Sequence, residues 1–210
     1  MRLHGYFRSS ATWRVRIAMN LKGQAVEHAF HHLQKGEQRA PDYLCLNPQG
    51  LLPALEMDDG TVLTQSLAIC EWLDETIPEQ PLLPGSALDR ARIRAFALAI
   101  ACDIHPVQNL RVLAALRAIP LAEEQVMGWA QRVIRGGLEA CEALIADGAG
   151  PFCFGDTPTL ADLCLIPQIG NARRFKTDLS GLPRIAAAVV ACEAHPAFSA
   201  AAPERQPDAE

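Results

Sequence analysis

The apolar positions change period repeatedly in the first third of the chain. Leu3, Gly5 and Phe7 alternate with polar or small residues as a half-buried strand does. From Trp13 onward, Val15, Ile17, Ala18 and Leu21 recur at helical spacing, and Ser9 or Ser10 is the natural N-cap between the two segments. Val26 to Leu33 reads as a second strand, followed by a polar turn at Gln34 to Gly36 and a short, irregular helical stretch towards Leu46. Leu55 and Met57 alternate before an Asp-Asp-Gly turn, and Val62 and Thr64 after it, which predicts a hairpin. Ser66 then caps a helix with the stripe Leu67, Ile69, Cys70 and Leu73.

The periodicity stops at Ile77 to Ala87, where three prolines and a glycine mark a linker. Beyond it every pattern is helical: Ala91 to Leu116, Ala122 to Ala146, Leu160 to Phe175 and Pro183 to Cys192. The expected organisation is an α/β domain over residues 1–78, a linker over 79–87 and an all-helical domain over 88–210, with Pro203 to Glu210 frayed at the end. Thr159 followed by Asp162 is a capping box with the shorter carboxylate, and its task is structural. The segment DIHPVQNLR, Asp103 to Arg111, breaks an apolar helix with a His-Pro pair. Proline inside a helix costs about 3 kcal/mol, so the kink serves either packing or a pocket lined by His105, Asn109 and Arg111.

Half of the 210 residues are apolar, enough for a substantial core, and the formal charge is −5. That charge argues against nucleic-acid and membrane-surface binding, both of which need basic fields. No apolar run approaches the length of a membrane span, and the reading is a cytoplasmic protein. Seven cysteines without a C-x-x-C pair fit neither a disulfide scaffold nor a zinc site. His28, His31 and His32 are not expected to hold a metal, because His31 and His32 would face opposite sides of a strand. Arg14 and Arg16, in the interior of the first helix, read as solvated or salt-bridged.

The stretch Phe7 to Asn20 concentrates the candidate chemistry. A strand that runs through two serines into a helix gathers free backbone N–H groups and the positive end of the helix dipole, a setting worth about 0.3–1 kcal/mol to an adjacent anion. A phosphate, a carboxylate or a thiolate would suit it, and so would no ligand at all. The order strand, helix, strand, then helix, hairpin, helix is the thioredoxin-like arrangement. Pro53, at the entry to the hairpin, stands where that fold carries its cis-proline: a cis bond would let Leu52 present its backbone to a ligand as an extra strand, and a trans bond would merely start an edge strand.

Over essentially the whole chain these residues resemble the zeta-class glutathione transferases. SSATWRVRIA is similar to the zeta signature, LNPQGLLPAL and LTQSLAICEWL to the superfamily's glutathione-site blocks, and DIHPVQNLR and NARRF to the isomerase-specific helices. The resemblance implies a thioredoxin-like N-terminal domain followed by an all-helical C-terminal domain, a homodimer, and glutathione as cofactor. It also implies that Ser9 holds the glutathione thiolate with Ser10 nearby. Leu52 and Pro53 would meet the cysteinyl part, and Gln65 and Ser66 the γ-glutamyl carboxylate. Gln38, His105 and Asn109 match weaker contact positions; Arg8, Arg111 and Arg174 match basic positions associated with carboxylate binding, with Arg8 beside the catalytic serines. Many zeta enzymes carry cysteine directly after the two serines, where this chain has Ala11.

The activity so implied is cis–trans isomerisation of a maleyl-type dicarboxylate in aromatic catabolism, by thiolate addition, bond rotation and elimination. Two other uses of the scaffold remain open at this stage. One is a transferase or peroxidase that consumes glutathione on electrophiles; the other is a non-catalytic binding protein.

Overall fold

The computed structural model describes residues 1–210 and divides into two compact units: Met1–Leu82 together with Glu193–Glu210, and Leu83–Cys192. In the first unit β1 (Arg2–Gly5), α1 (Ser10–Leu21) and β2 (Glu27–Phe30) form a parallel strand–helix–strand unit, with Arg2 opposite Glu27 and Gly5 opposite Phe30. Parallel neighbours need a crossover connection, and α1 provides it. A short helix, α2 (Pro41–Leu46), leads to the hairpin of β3 (Ala54–Glu56) and β4 (Val62–Thr64), with Ala54 opposite Thr64. Because β3 also pairs antiparallel with β1, the sheet order is β2-β1-β3-β4. The helix α3 (Ser66–Thr76) packs against α1. Leu3, Val15, Ile17, Leu55, Ile69, Cys70 and Leu73 are all fully buried in this unit, so the apolar positions seen in the sequence make its core.

Two elements of this unit differ locally from the sequence reading. β2 ends at Phe30 rather than Leu33: the His31 N–H still reaches the Gly5 carbonyl at 2.8 Å, but its ring turns onto Tyr43, with centroids 4.6 Å apart. The N-cap of α3 is Gln65, not Ser66. Its φ of 68° lies in the left-handed region, a conformation that costs a non-glycine residue about 1–3 kcal/mol and concentrates at functional sites.

The linker is held by a buried lysine. Lys22, at the end of α1, directs Nζ to Asp74 Oδ1 (2.8 Å) and to the carbonyls of Ile77 (2.7 Å), Glu79 (2.9 Å) and Gln80 (3.0 Å). One ammonium thus uses its three protons on four acceptors, and Asp74 Oδ1 also receives the Leu82 N–H at 2.7 Å.

The end of the chain departs most from expectation. The residues from Pro203 are ordered against the first unit instead of frayed, and the whole segment Glu193–Glu210 belongs there rather than with the helical domain of residues 88–210. A helix the pattern did not suggest, α9 (Pro196–Ala201), packs against α1. Asn20 Nδ2 donates to the Ala197 carbonyl at 2.9 Å, and Arg16 Nε to the Ala201 carbonyl at 3.1 Å. Farther on, Asp208 Oδ2 accepts the Phe7 N–H at 2.8 Å, and Glu210 reaches His32 Nε2 at 2.8 Å. These acceptors for buried or half-buried donors fix the tail.

The regular elements of the second unit are helices: α4 (Ala87–Leu98), α5 (Leu110–Arg117), α6 (Glu123–Leu144), α7 (Leu160–Arg174) and most of α8 (Pro183–Ala194). The break predicted at His-Pro is wider than one residue. After α4 the chain runs through a π-helical turn, Ala99–Ile104, and a 3-10 turn, His105–Gln108, before Asn109 starts α5. Asp162 sits fully buried at the start of α7, accepting the Thr159 N–H (2.8 Å) and Thr159 Oγ1–H (2.9 Å) on Oδ2 and the Cys153 N–H (2.9 Å) on Oδ1. Burial raises its pKa above the ordinary carboxylate value while these donors oppose the shift. Its role is the structural one expected of the capping position.

Candidate functional site

The turn between β1 and α1 is built by close approach. Gly5 ends β1, and a Cβ placed there would come within 2.3 Å of the Thr12 methyl group, so any side chain would push away the first turn of α1. Ser9 follows as the N-cap of α1: its N–H donates to the Tyr6 carbonyl (3.0 Å), and its Oγ accepts the Thr12 N–H at 3.2 Å. An acceptor role towards the backbone leaves the Ser9 hydroxyl proton free to be donated outward, and the same turn carries the positive end of the α1 dipole. Ser10 is the first residue of the helix and is 5% exposed. Arg8 is exposed and lies over the Phe7 ring, 4.9 Å from its centroid.

Neighbouring elements of the same unit carry the other predicted positions. The Leu52–Pro53 peptide is cis, and Leu52 precedes β3. The Leu51 carbonyl before it takes hydrogen bonds from Tyr43 Oη (2.6 Å) and Asn47 Nδ2 (2.7 Å), which anchor this corner. Gln65 Nε2 donates to Gln49 Oε1 at 2.8 Å, so part of its amide is engaged. Ser66, 6% exposed, opens α3, where N–H groups lack helical acceptors. Gln38 lies in the 3-10 turn Glu37–Arg39 with its Oε1 buried and unpartnered.

In the second unit Asn109 is a helix cap. Its Oδ1 accepts the N–H groups of Arg111 (3.1 Å) and Val112 (3.3 Å), which leaves only Nδ2 for another partner. Arg111 is exposed in the first turn of α5, where a cation opposes the helix dipole. Such a placement disfavours a purely helix-stabilising role. Arg174 ends α7, donates to Asn171 Oδ1 and lies 5.3 Å from the Phe175 centroid. His105 opens the 3-10 turn.

Two arginines missed by the sequence reading are the most buried charges of the first unit. Arg14 and Arg16 are 2% and 5% exposed, neither solvated nor in contact with a carboxylate. Arg16 Nη1 and Nη2 donate to the carbonyls of Tyr6 (3.4 Å) and Phe7 (2.9 Å), so it braces the segment just before the serines. Burial lowers its pKa to about 10, with Asp208 opposing the shift. Arg14 Nη1 donates to Ser66 Oγ at 3.3 Å, while its Nε and Nη2 are buried without a partner. Only their position before Val15 and Ile17 on a buried face could have signalled this in the sequence.

None of the seven cysteines lies in the Ser9–Ser10 turn, where residue 11 is alanine. Burial pushes the Cys141 thiol up to about 12 and the Cys153 thiol well above its ordinary value. Both are inert as nucleophiles at neutral pH.

A thioredoxin-like unit that presents a capped serine turn, followed by a helical unit, defines the class of protein. Models of the N-terminal and C-terminal domains of glutathione S-transferases match residues 8–76 and 62–191, and the chain belongs to the glutathione S-transferase family. Among its relatives are isomerases. It is 46% identical over 210 residues to maleylacetoacetate isomerase of Pseudomonas aeruginosa, covering 99% of this chain and 98% of the relative. A solved bacterial maleylpyruvate isomerase of the zeta class superposes with a TM-score of 0.96 at 45% identity, covering both chains completely. Maleylacetoacetate isomerase of Anaeromyxobacter dehalogenans, solved with dicarboxyethyl glutathione and citrate in its active site, superposes with a TM-score of 0.89 at 44% identity, over 100% of this chain and 93% of the other.

Proposed function

We propose that this chain is a glutathione-dependent cis–trans isomerase of a maleyl-type dicarboxylate, acting on maleylacetoacetate, maleylpyruvate or both, in the breakdown of aromatic compounds. The observation that carries the reading is the Ser9 turn in a chain so similar, over its full length, to isomerases of both names. The residues present fit glutathione: a hydroxyl proton and a helix terminus for a thiolate at Ser9, and unpartnered polar atoms on Gln38 and Arg14. Bound glutathione supplies the sulfur nucleophile, whose reversible addition to the cis double bond permits rotation and returns the cofactor unchanged.

The chain's own groups have the remaining tasks. Ser9 donates its hydroxyl proton to the sulfur anion, a charge-assisted bond worth about 1.5–3 kcal/mol, with the α1 dipole acting in the same direction. Ser10 supports the same turn. Leu52 and Pro53 meet the cofactor through the backbone, and Gln65 and Ser66 take its γ-glutamyl carboxylate at the start of α3. Gln38, His105 and Asn109 contribute outer contacts, Asn109 only through Nδ2. Arg8, Arg111 and Arg174 bind the carboxylates of the substrate and stabilise the negative charge that develops on its ketone oxygen. A thiol at its ordinary pKa of about 8.5 is mostly protonated at pH 7, and each unit of depression requires about 1.4 kcal/mol, so Ser9 and the dipole suffice for one to two units.

No helix is long and apolar enough to cross a membrane, and the proposed setting is the cytoplasm, with the chain working as a homodimer. Maleylacetoacetate and maleylpyruvate, each incubated with and without glutathione, test the activity. Conversion should require glutathione and leave its concentration unchanged. Stoichiometric loss of thiol would make the protein a transferase, and turnover by thiol-free protein would end the mechanism.

A further inference from the structure

The buried guanidinium of Arg14 poses an electrostatic problem inside the first unit. Only Nη1 has a partner, the hydroxyl oxygen of Ser66 at 3.3 Å; Nε and Nη2 are buried and bonded to nothing. Arginine remains charged under all ordinary conditions, and burying a charge without a carboxylate or a full set of acceptors is costly. Arg16, two residues away, shows the usual solution, since all three of its nitrogens donate to carbonyls. Arg14 has no such solution within the protein alone. Its one bond leads to Ser66, the residue that opens α3, where unpaired N–H groups also point at any bound anion.

We infer that Arg14 is a positioning residue for the carboxylate of glutathione held at the start of α3, acting through Ser66. An Nη1–H donated to Ser66 Oγ occupies a lone pair of that hydroxyl, so the Ser66 proton is turned outward as a donor. The uncompensated positive charge behind it adds a low-dielectric field of the same sign as the α3 terminus. Ligand binding brings the negative charge that the buried guanidinium lacks. A buried cation thus stands behind the anion site, 3.3 Å from the Ser66 hydroxyl, and Gln65, with its φ of 68°, is the N-cap after which Ser66 begins the helix. The inference rests on the proposed placement of the γ-glutamyl carboxylate at Gln65 and Ser66.

Calorimetric titration with two ligands isolates the effect: glutathione, and the analogue γ-aminobutyryl-cysteinyl-glycine, which lacks the α-carboxylate and keeps the amino group. In the wild type, glutathione should bind at least about tenfold more tightly than the analogue, the range for a hydrogen bond to a charged group. Arg14→Met should remove most of that preference by weakening glutathione and leaving the analogue within about twofold. Arg14→Lys keeps the charge without the fork, so it should keep part of the preference and serves if the methionine variant does not fold. Raising salt should weaken glutathione more than the analogue in the wild type and equally in Arg14→Met. An equal loss of affinity for both ligands in whichever variant folds would mean that Arg14 only supports the fold, and an unchanged preference would remove it from the site. Failure of the wild type to bind glutathione at all would overturn the proposed function itself. Binding without any preference for glutathione over the analogue would overturn only the assignment at α3.

Discussion

Asp208 and Phe7, 201 residues apart in sequence, share a 2.8 Å hydrogen bond from the Phe7 N–H to Asp208 Oδ2, two positions before the serine that caps α1. The carbonyl of the same Phe7 accepts from Arg16 Nη2. Both backbone groups of one residue are thus fixed by charged side chains, and the Ser9 turn inherits its position from them. Asp208→Ala should destabilise the protein by about 1–3 kcal/mol, because it unpairs a donor and removes an anion that acts on Arg16. Asp208→Asn keeps an acceptor and should lose less. Urea unfolding measures the stability, and exchange of the Phe7 amide hydrogen reports the local opening; an amide as protected in Asp208→Ala as in the wild type would show that the bond does not hold the turn.

Ser9→Ala should act on the sulfur rather than on cofactor affinity. Removing the hydroxyl takes away about 1.5–3 kcal/mol of anion stabilisation, equivalent to a rise of one to two units in the thiol pKa of bound glutathione. The activity deficit should therefore shrink as pH rises. Thiolate absorbance follows the titration directly, and if Ser10→Ala raises the pKa while Ser9→Ala does not, the two serines exchange roles.

The arginines proposed to bind substrate separate from structural ones by comparing kinetics with stability. Arg8→Met, Arg111→Met and Arg174→Met should each lower kcat/KM by roughly 10- to 150-fold, matching about 1.5–3 kcal/mol for a charge-assisted bond. Glutathione affinity should barely change, and lysine should rescue only in part. Arg174 is the instructive case, since its bond to Asn171 already gives it a structural partner. A lower melting temperature with wild-type kinetics would assign it to that role alone.

Acid sensitivity should come partly from His31. Burial first, and the nearby His4 second, lower its pKa below 6.5, with Glu37 opposing. Between the folded pKa and 6.5 the unfolded chain binds more protons, so stability falls as pH drops through that window. His31→Gln removes the titration and should flatten the stability profile below pH 6.5; a profile as steep as that of the wild type would assign the sensitivity elsewhere.

The sequence made the fold legible where each element carries its own period. β1, α1, the hairpin and α3 follow from local alternation, and Pro53 and the His-Pro break stand where backbone chemistry demands something unusual. What it hid are interactions whose partner lies far along the chain. Arg14 and Arg16 look solvent-facing because nothing near them in sequence could neutralise them; Ser66, Ala201 and Asp208 come 52, 185 and 192 residues later. Asn109 carries a second task that its neighbours in sequence did not announce: its Oδ1 accepts the Arg111 N–H at the start of α5, as side-chain oxygens at helix starts commonly do. The polar residues of the tail suggest solvent, whereas Asp208 accepts the Phe7 N–H between β1 and α1 and Glu210 reaches His32 beyond β2.

The discontinuity of the first unit sets an order of events during synthesis. β1 and α1 leave the ribosome early, and chains emerge at about 5–20 residues per second, folding domain by domain. Arg16 must wait for the Ala201 carbonyl, and the Phe7 amide for Asp208, until nearly all of the chain has been made. The helical unit, Leu83–Cys192, is contiguous and emerges entirely before those residues. The part synthesised first is therefore completed last, and the serine turn is sealed only when the chain returns to it.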